Sequence, residues 1–207
     1  MEKHQVIEKL TSDLKFGQPA IQKLEIYHDE LIKFNLDYNL IGSSTEKDAW
    51  NRHILDSAQI VKFIDFKKEG CIADLGTGAG LPGLIIAIYN QNIDFHVKLY
   101  EKSKVKCQFL SSVISKLNLN NVTINNNNIK TEEIYANYIT CRAFRKLSYI
   151  LDVSRENIKV NHKLIVLKGK NALEEINSLQ NSQQYSYEIK DSITDKESKI
   201  IVFDIMK

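Results

Sequence analysis

Proline, arginine and cysteine are scarce in this 207-residue chain. There are two prolines, Pro19 and Pro82, and eight glycines, and the chain shows neither a long linker nor an internal repeat. The three cysteines, Cys71, Cys107 and Cys141, are odd in number, far apart and never in a CxxC pair. That excludes a disulfide framework and a cysteine zinc site, and leaves reduced thiols packed as small apolar residues. No metal is expected. No apolar run approaches the roughly 18 residues of a membrane span, and no charged-then-apolar leader opens the chain, so a cytosolic protein with no membrane partner is the expectation. The net charge of +2 leaves little global pull on nucleic acid, so any polyanion must be held by a local patch. Arginine, whose planar fork suits phosphate, stands only at Arg52, Arg142, Arg145 and Arg155.

What is present is ordinary for a globular protein: 43% apolar and 26% charged residues, enough chain for one well-buried domain with a helical appendage. Residues 1–66 read as a helical extension. Ile21, Leu24, Tyr27, Leu31 and Phe34 recur at three- and four-residue steps on one helix face, and Pro19 suits its first turn. The loop "DYNLIGSS" hinges at Gly42. A second helix is expected over "SSTEKDAWNRHILDSAQIVKFI", capped by Ser44 or Thr45, with Glu46 and Asp48 in its first turn.

From residue 67 to 207 the rhythm changes. Strands are expected at "CIADL", "FHVKLYE", "NVTINN", "YITCRAF", "HKLIVLKG", "QYSYEIK" and "KIIVFDIMK", with helices at "LPGLIIAIYN" and "KSKVKCQFLSSVISKLN". The latter carries a stripe of Val105, Phe109, Val113 and Leu117. Such alternation predicts an α/β fold, a mostly parallel sheet with helices on both faces. The last two strands, joined by "DSITDKES", are expected as an antiparallel hairpin at the sheet edge.

Half of the glycines fall within residues 76–83, in "CIADLGTGAGLPGLIIAI". In an open α/β sheet a glycine turn after the first strand lets backbone approach a ligand, and the next helix offers its amino-terminal N–H groups. Gly78, Gly80 and Gly83 satisfy G-x-G-x-x-G, which on its own is weak evidence for a dinucleotide. Three details oppose it. The turn starts at Gly76, two residues before the matching register. Asp74 ends the strand with a carboxylate that repels a pyrophosphate and suits a cationic amine. Pro82 removes one N–H donor at the helix start. A ligand with an ammonium, a sulfonium and a ribose but no phosphate meets all three, and S-adenosylmethionine is such a ligand. Glu101, ending the second strand 25 residues after Gly76, is placed to take both ribose hydroxyls with either cofactor. The plain alternative is a glycine turn with two solvated acids.

With this loop the chain resembles the bacterial small-subunit rRNA guanine-N7 methyltransferases, the RsmG or GidB family. The resemblance runs nearly end to end through "YNLI", "RHILDS", "DLGTGAGLPGL", "CRAF" and "LKGK". It implies a seven-stranded, mostly parallel class I (Rossmann-like) methyltransferase sheet with an N-terminal helical extension, acting as a monomer in the cytoplasm. It implies methyl transfer from S-adenosylmethionine to N7 of a specific guanine (position 527) of 16S rRNA, free or within the small ribosomal subunit. The cofactor contacts it implies are Gly76, Leu81 and Arg142, with Ile129 and Lys130 flanking adenine; Lys130 departs from the family's usual acid. Asp74, Thr77, Gly78 and Glu101 join them from the loop and strand ends.

Guanine N7 carries a free lone pair, so its methylation needs no general base, and positioning plus exclusion of water supplies the catalysis. No catalytic triad is expected. Arg52, His53 and Asp56 are positioning candidates, with Arg52 and Asp56 spaced i, i+4; the plain alternative is a helix-surface ion pair. For His53 a hydrogen-bonding or packing role is expected rather than a base. Arg52, Arg145, Lys146, Lys168 and Lys170 are the expected RNA contacts, joined by Lys102, Lys104 and Lys106 at the start of a helix. Other readings stay open: a methyltransferase of another RNA, a protein or a small molecule, an NAD-dependent oxidoreductase, and a non-catalytic binding module.

Overall fold

The computed structural model describes residues 1–179 and 185–207. Helices α1 (Lys3–Ser12) and α2 (Gln18–Tyr38) lead the chain. Pro19 sits in the first turn of α2, where its missing N–H is of no consequence, and Asn39 ends the helix in the left-handed region at φ 45°. Ile21, Leu24, Tyr27 and Leu31 are buried as the stripe predicts, with Phe34 packed at its edge.

The expected second helix is not one helix. It runs as α3 (Ser43–Glu46), a π-helical turn (Trp50–Leu55), α4 (Asp56–Ala58) and a 3-10 turn (Gln59–Phe63). Neither Ser44 nor Thr45 caps it; Gly42 holds that position and Thr45 turns its hydroxyl elsewhere. The physical reason is burial on several sides. Trp50, Asn51, His53, Ile54, Leu55, Ser57, Ala58, Gln59 and Ile60 are all buried, so packing overrides the i→i+4 ladder.

Seven strands follow: β1 (Gly70–Leu75), β2 (Phe95–Tyr100), β3 (Val122–Asn125), β4 (Tyr138–Arg142), β5 (His162–Lys168), β6 (Ser186–Asp191) and β7 (Lys199–Ile205). Gln184, the first residue of the expected sixth strand, lies outside the described residues. The sheet order is β3-β2-β1-β4-β5-β7-β6, parallel except for β7, which runs antiparallel to both neighbours. The last two strands do form an antiparallel hairpin, but β7 inserts beside β5 and leaves β6 at the edge. Helices α5 (Gly83–Tyr89) and α6 (Lys104–Lys116) match their expected segments. Two further helices, α7 (Leu147–Asn157) and α8 (Ala172–Asn177), join the parallel strands where no helix was assigned from sequence.

Strand alternation divides the core. Ile72, Val97, Leu99 and Ile165 face α1, α2, α5 and α6, in one apolar cluster that also takes in the 50–61 segment. Ala73, Leu75, Ile139, Cys141 and Val166 face α7 and α8. At roughly 1.5–3 kcal/mol for each fully buried Leu, Ile or Phe, the first cluster fuses the N-terminal helices to the sheet. Asp74 and Thr140, paired in register across β1 and β4, belong to that face, so the helical extension covers the same side of the sheet as the glycine loop's acid.

Candidate active site

The parallel strands β1, β2 and β4 end together, and the glycine loop turns between β1 and α5. Gly76, Gly78 and Gly80 all have positive φ, at 70°, 60° and 86°. Gly76 has a second reason to be glycine, because a Cβ there would lie 2.1 Å from the ring of Phe144.

Most of the loop's N–H groups are engaged by the protein itself. Those of Gly76 and Thr77 donate to Tyr100 O, those of Gly80 and Leu81 to Thr77 O, and that of Leu84 to Gly80 O. Gly78 N donates to Glu101 Oε2 at 3.1 Å, and Gly83 N to Asp74 Oδ2 at 2.8 Å. Pro82 has none to give. Helix α5 therefore presents almost no free donors to an anion, which argues physically against a pyrophosphate at this turn.

Asp74 corrects an expectation. Expected to point into the ligand site, its carboxylate is instead fully buried beneath the loop. Thr77 Oγ1 and Gly83 N both donate to Oδ2, at 2.5 and 2.8 Å, while Oδ1 is buried with no partner. Burial pushes its pKa up to about 6, against the opposing pull of these two donors and of Arg142. An unpaired buried carboxylate oxygen is costly, and a cationic ligand group would relieve it.

Glu101 is anchored in a different way. Gly78 N and Ser103 N each donate to one of its oxygens, at 3.1 and 2.8 Å. A carboxylate has about four lone-pair sites, so two remain for hydroxyls. Its side chain borders a cleft of about 310 Å³ lined by Gly76, Tyr100, Lys106, Asn127, Asn128, Ile129, Phe144 and Tyr149, a size fit for a nucleoside. One acid with free lone pairs and an apolar and aromatic wall fit a nucleoside, and Lys102, Lys106 and Arg145 also border the cleft.

Of the expected cofactor contacts, the structure places Gly76, Glu101 and Ile129 on this cleft. Thr77 is buried and serves Asp74. Leu81 is packed in the core. Lys130 is exposed, its ammonium 5.1 Å from the centre of the Tyr149 ring, and its carbonyl accepts from Asn157. Sequence reasoning missed Phe144, Tyr149 and Tyr27. Phe144 was visible as the last letter of "CRAF", but nothing local tells that its ring covers Gly76. Tyr27 donates to Ala79 O at 2.9 Å from full burial, so α2 props the glycine loop directly.

Arg142 borders a second cleft, of about 220 Å³, on the other side of Ala143; Ala143 lines both clefts and adopts φ 49°, a conformation costly for a residue with a Cβ. Its guanidinium donates through Nη1 to Arg52 O at 3.1 Å and to Asp56 Oδ2 at 3.3 Å. Through Nη2 it donates to His53 Nδ1 at 3.0 Å. Asp56 accepts on Oδ1 from Gln59 Nε2 and Thr194 Oγ1, both at 2.9 Å. His53 is buried, and burial together with the Arg142 and Arg52 charges lowers its pKa to about 4. It is a neutral hydrogen-bonding residue, as expected, and no base.

The i, i+4 ion pair of Arg52 with Asp56, the plain alternative, does not occur. Arg52 donates to Asp195 at 2.8 Å, in the β6–β7 loop, and Asp56 is taken by Arg142. Around the rim, Arg145 lies 5.8 Å from the Tyr149 ring centre, and Lys146 and Lys170 are exposed. Lys168 is not free: it donates to Arg145 O at 2.5 Å and to Glu175 at 2.8 Å. Lys104 is exposed, and Lys102 and Lys106 both line the first cleft. No cluster of three or more potential metal-ligating side chains is found among the described residues. No helix among them is long and apolar enough to cross a membrane.

Comparison with known proteins adds a second line of observation. The family profile described as rRNA small subunit methyltransferase G (GidB) matches residues 20–202. The chain is 41% identical over 188 residues to Ribosomal RNA small subunit methyltransferase G of Rickettsia rickettsii, covering 91% of this chain and 95% of that one. It is 39% identical over 189 residues to the protein of the same name in Rickettsia bellii, with the same coverage. Among solved structures, a SAM dependent methyltransferase from Aquifex aeolicus superposes with a TM-score of 0.57 at 13% identity, covering 81% of this chain and all of that one, a likeness of fold.

Proposed function

The chain belongs to the rRNA small subunit methyltransferase G family, and from that premise we propose that it methylates N7 of one specific guanine in 16S rRNA. It is an S-adenosylmethionine-dependent methyltransferase of small-subunit rRNA. The observation that carries the cofactor side is the glycine loop, most of whose N–H groups are engaged internally, beside Glu101 with two lone-pair sites free on the cleft and above the buried, unpaired Asp74 Oδ1.

When bound, the cofactor supplies an electrophilic methyl group on a sulfonium. The protein's task is to hold and orient. Glu101, steadied by Gly78 and Ser103, accepts from the ribose hydroxyls. Ile129, Phe144 and Tyr149 enclose the base. The ammonium group lies against the loop above Asp74, whose unpaired, buried carboxylate oxygen attracts it. Desolvating that ion pair makes it stronger than an exposed one.

The target guanine takes the second cleft. Three of the five N–H donors of Arg142 are engaged by Arg52 O, Asp56 and His53, leaving two at the junction where cofactor and base meet. Guanine N7 brings its own lone pair, so no residue must remove a proton before transfer. His53 could not do so, its Nδ1 being occupied by Arg142. Walls from the 45–59 segment and the 192–200 loop exclude water and hold N7 in line with the methyl group. Arg145, Lys146 and Lys170 form the local basic rim that a net charge of +2 requires of an RNA-binding protein. Arg52 joins them when a phosphate displaces Asp195. We further infer a monomeric enzyme of the cytoplasm with no metal requirement.

The test is mass spectrometry of 16S rRNA from cells with and without the gene. Loss of one N7-methylguanosine, restored by the wild-type gene and not by an Arg142→Ala version, is expected; an unchanged modification pattern refutes the reading. Incubating the purified enzyme with naked 16S rRNA and with small subunits then separates the two substrates.

A further inference from the structure

Arg142 is held on one side by a chain of hydrogen bonds that ends on main chain. Its Nη2 faces His53 Nδ1 at 3.0 Å, His53 Nε2 faces Thr45 Oγ1 at 2.8 Å, and Thr45 Oγ1 faces Gly42 O at 2.8 Å. Donor and acceptor chemistry permits one arrangement of protons along it. A guanidinium only donates, so Nδ1 must carry the lone pair and Nε2 the hydrogen. The Nε2–H then donates to Thr45 Oγ1, whose own hydrogen goes to the Gly42 carbonyl. No other assignment satisfies all four groups. Burial and the neighbouring Arg142 and Arg52 charges keep the ring neutral, so the arrangement persists at physiological pH.

We propose that Thr45 is a positioning residue for the methyl transfer: its hydroxyl, committed to the Gly42 carbonyl, accepts from His53 Nε2–H, holds the ring in place and so aims the Arg142 guanidinium at the junction of the two clefts. The inference rests on the role given to Arg142 above. The other acceptor side chain, Asp56, is held redundantly by Gln59 and Thr194. Thr45 is the sole partner of His53 Nε2 among the described residues. Without the hydroxyl the buried Nε2–H loses its acceptor, and the ring is no longer held in place opposite the guanidinium. Thr45 was conspicuous in the sequence only as a helix cap, which it is not.

Thr45→Val keeps the shape and removes the hydroxyl; Thr45→Ser keeps the hydroxyl and removes the methyl. If Thr45 positions, the Val variant loses about three- to tenfold in kcat, the worth of one neutral hydrogen bond, while the Ser variant stays near wild type and the Kd for S-adenosylhomocysteine moves less than kcat. A packing role inverts the order, with Ser the weaker variant, and overturns the proposal. Heteronuclear NMR of the imidazole nitrogens gives a readout that needs no variant to fold: His53 of the wild-type protein is expected purely as Nε2–H, and finding Nδ1–H overturns the proposal outright. In Thr45→Val the Nε2 signal is expected to shift as its hydrogen loses its acceptor, and unchanged imidazole signals would overturn the role of Thr45. Arg142→Lys, assayed in parallel, separates the two levels. Full activity there removes the role of Arg142 itself, whereas impaired Arg142→Lys beside a fully active Thr45→Val removes only the role of Thr45.

Discussion

Replacing Asp74 by asparagine should make the protein more stable and a poorer binder of its cofactor at once. The carboxylate is fully buried, with Oδ2 accepting from Thr77 and Gly83 and Oδ1 accepting from nothing. Burial raises its pKa from an ordinary 3.8 to about 6. An acid whose folded pKa is raised holds its proton more tightly in the folded state, so wild-type stability falls as pH rises from about 4 through 6. At 1.36 kcal/mol per pH unit, that interval amounts to about 3 kcal/mol by neutral pH. Asparagine keeps an oxygen for Thr77 and Gly83 and carries no charge. Asp74→Asn should therefore gain up to about 3 kcal/mol over wild type at pH 7 and almost nothing at pH 4. In the position of Oδ1 it sets an NH2 group, which faces the cofactor ammonium as a donor. Losing a charge-assisted hydrogen bond of about 1.5–3 kcal/mol weakens affinity by roughly ten- to hundredfold. Urea unfolding at the two pH values measures the first effect, and calorimetric titration with S-adenosylmethionine and S-adenosylhomocysteine the second. Both ligands carry the ammonium and should weaken alike. Unchanged affinity would show that Oδ1 does not face the ligand. A joint loss of stability and affinity would reduce Asp74 to a strut for the loop.

Three further outcomes are expected. Tyr27→Phe leaves Ala79 O without its buried donor and should cost about 1–3 kcal/mol in urea unfolding, with a weaker cofactor affinity because the glycine loop loses its prop; a difference below about 0.5 kcal/mol would show that the contact contributes nothing net. The pKa of His53 is lowered from 6.5 to about 4, so the unfolded chain takes up a proton there before the folded one does, and wild type should lose about 3 kcal/mol relative to His53→Gln between pH 7 and pH 4; parallel stability curves for the two proteins would contradict the assignment. Joint replacement of Arg145, Lys146 and Lys170 by alanine should flatten the dependence of log K for 16S rRNA on log salt by about 2, whereas Lys168→Ala, which removes a group already paired with Glu175, should lower stability and leave that slope unchanged.

The strand–helix alternation, the apolar stripe of α2 and the acid-before-glycine loop with its proline were legible from local pattern alone, because periodicity reports which face of a segment is buried. Glu101 was placed by the same logic, since a strand end in a parallel sheet has only one edge to occupy. Chemistry at a distance was not legible. Arg52 bonds Asp195 143 residues away, and that partner displaced the local pairing with Asp56 that helical spacing suggests. The segment from Ser44 to Ile64 carries a helical pattern, yet burial on several sides breaks it into a π turn and shorter pieces that no propensity records. The fate of Asp74 shows the division most sharply. By residue type and place alone, the sequence determined that a carboxylate ends the strand just before the glycine turn. Only the tertiary structure decided that one of its oxygens serves the loop and the other is left unpaired, because hydrogen-bond satisfaction depends on what packs above a side chain, and that is settled by the whole fold.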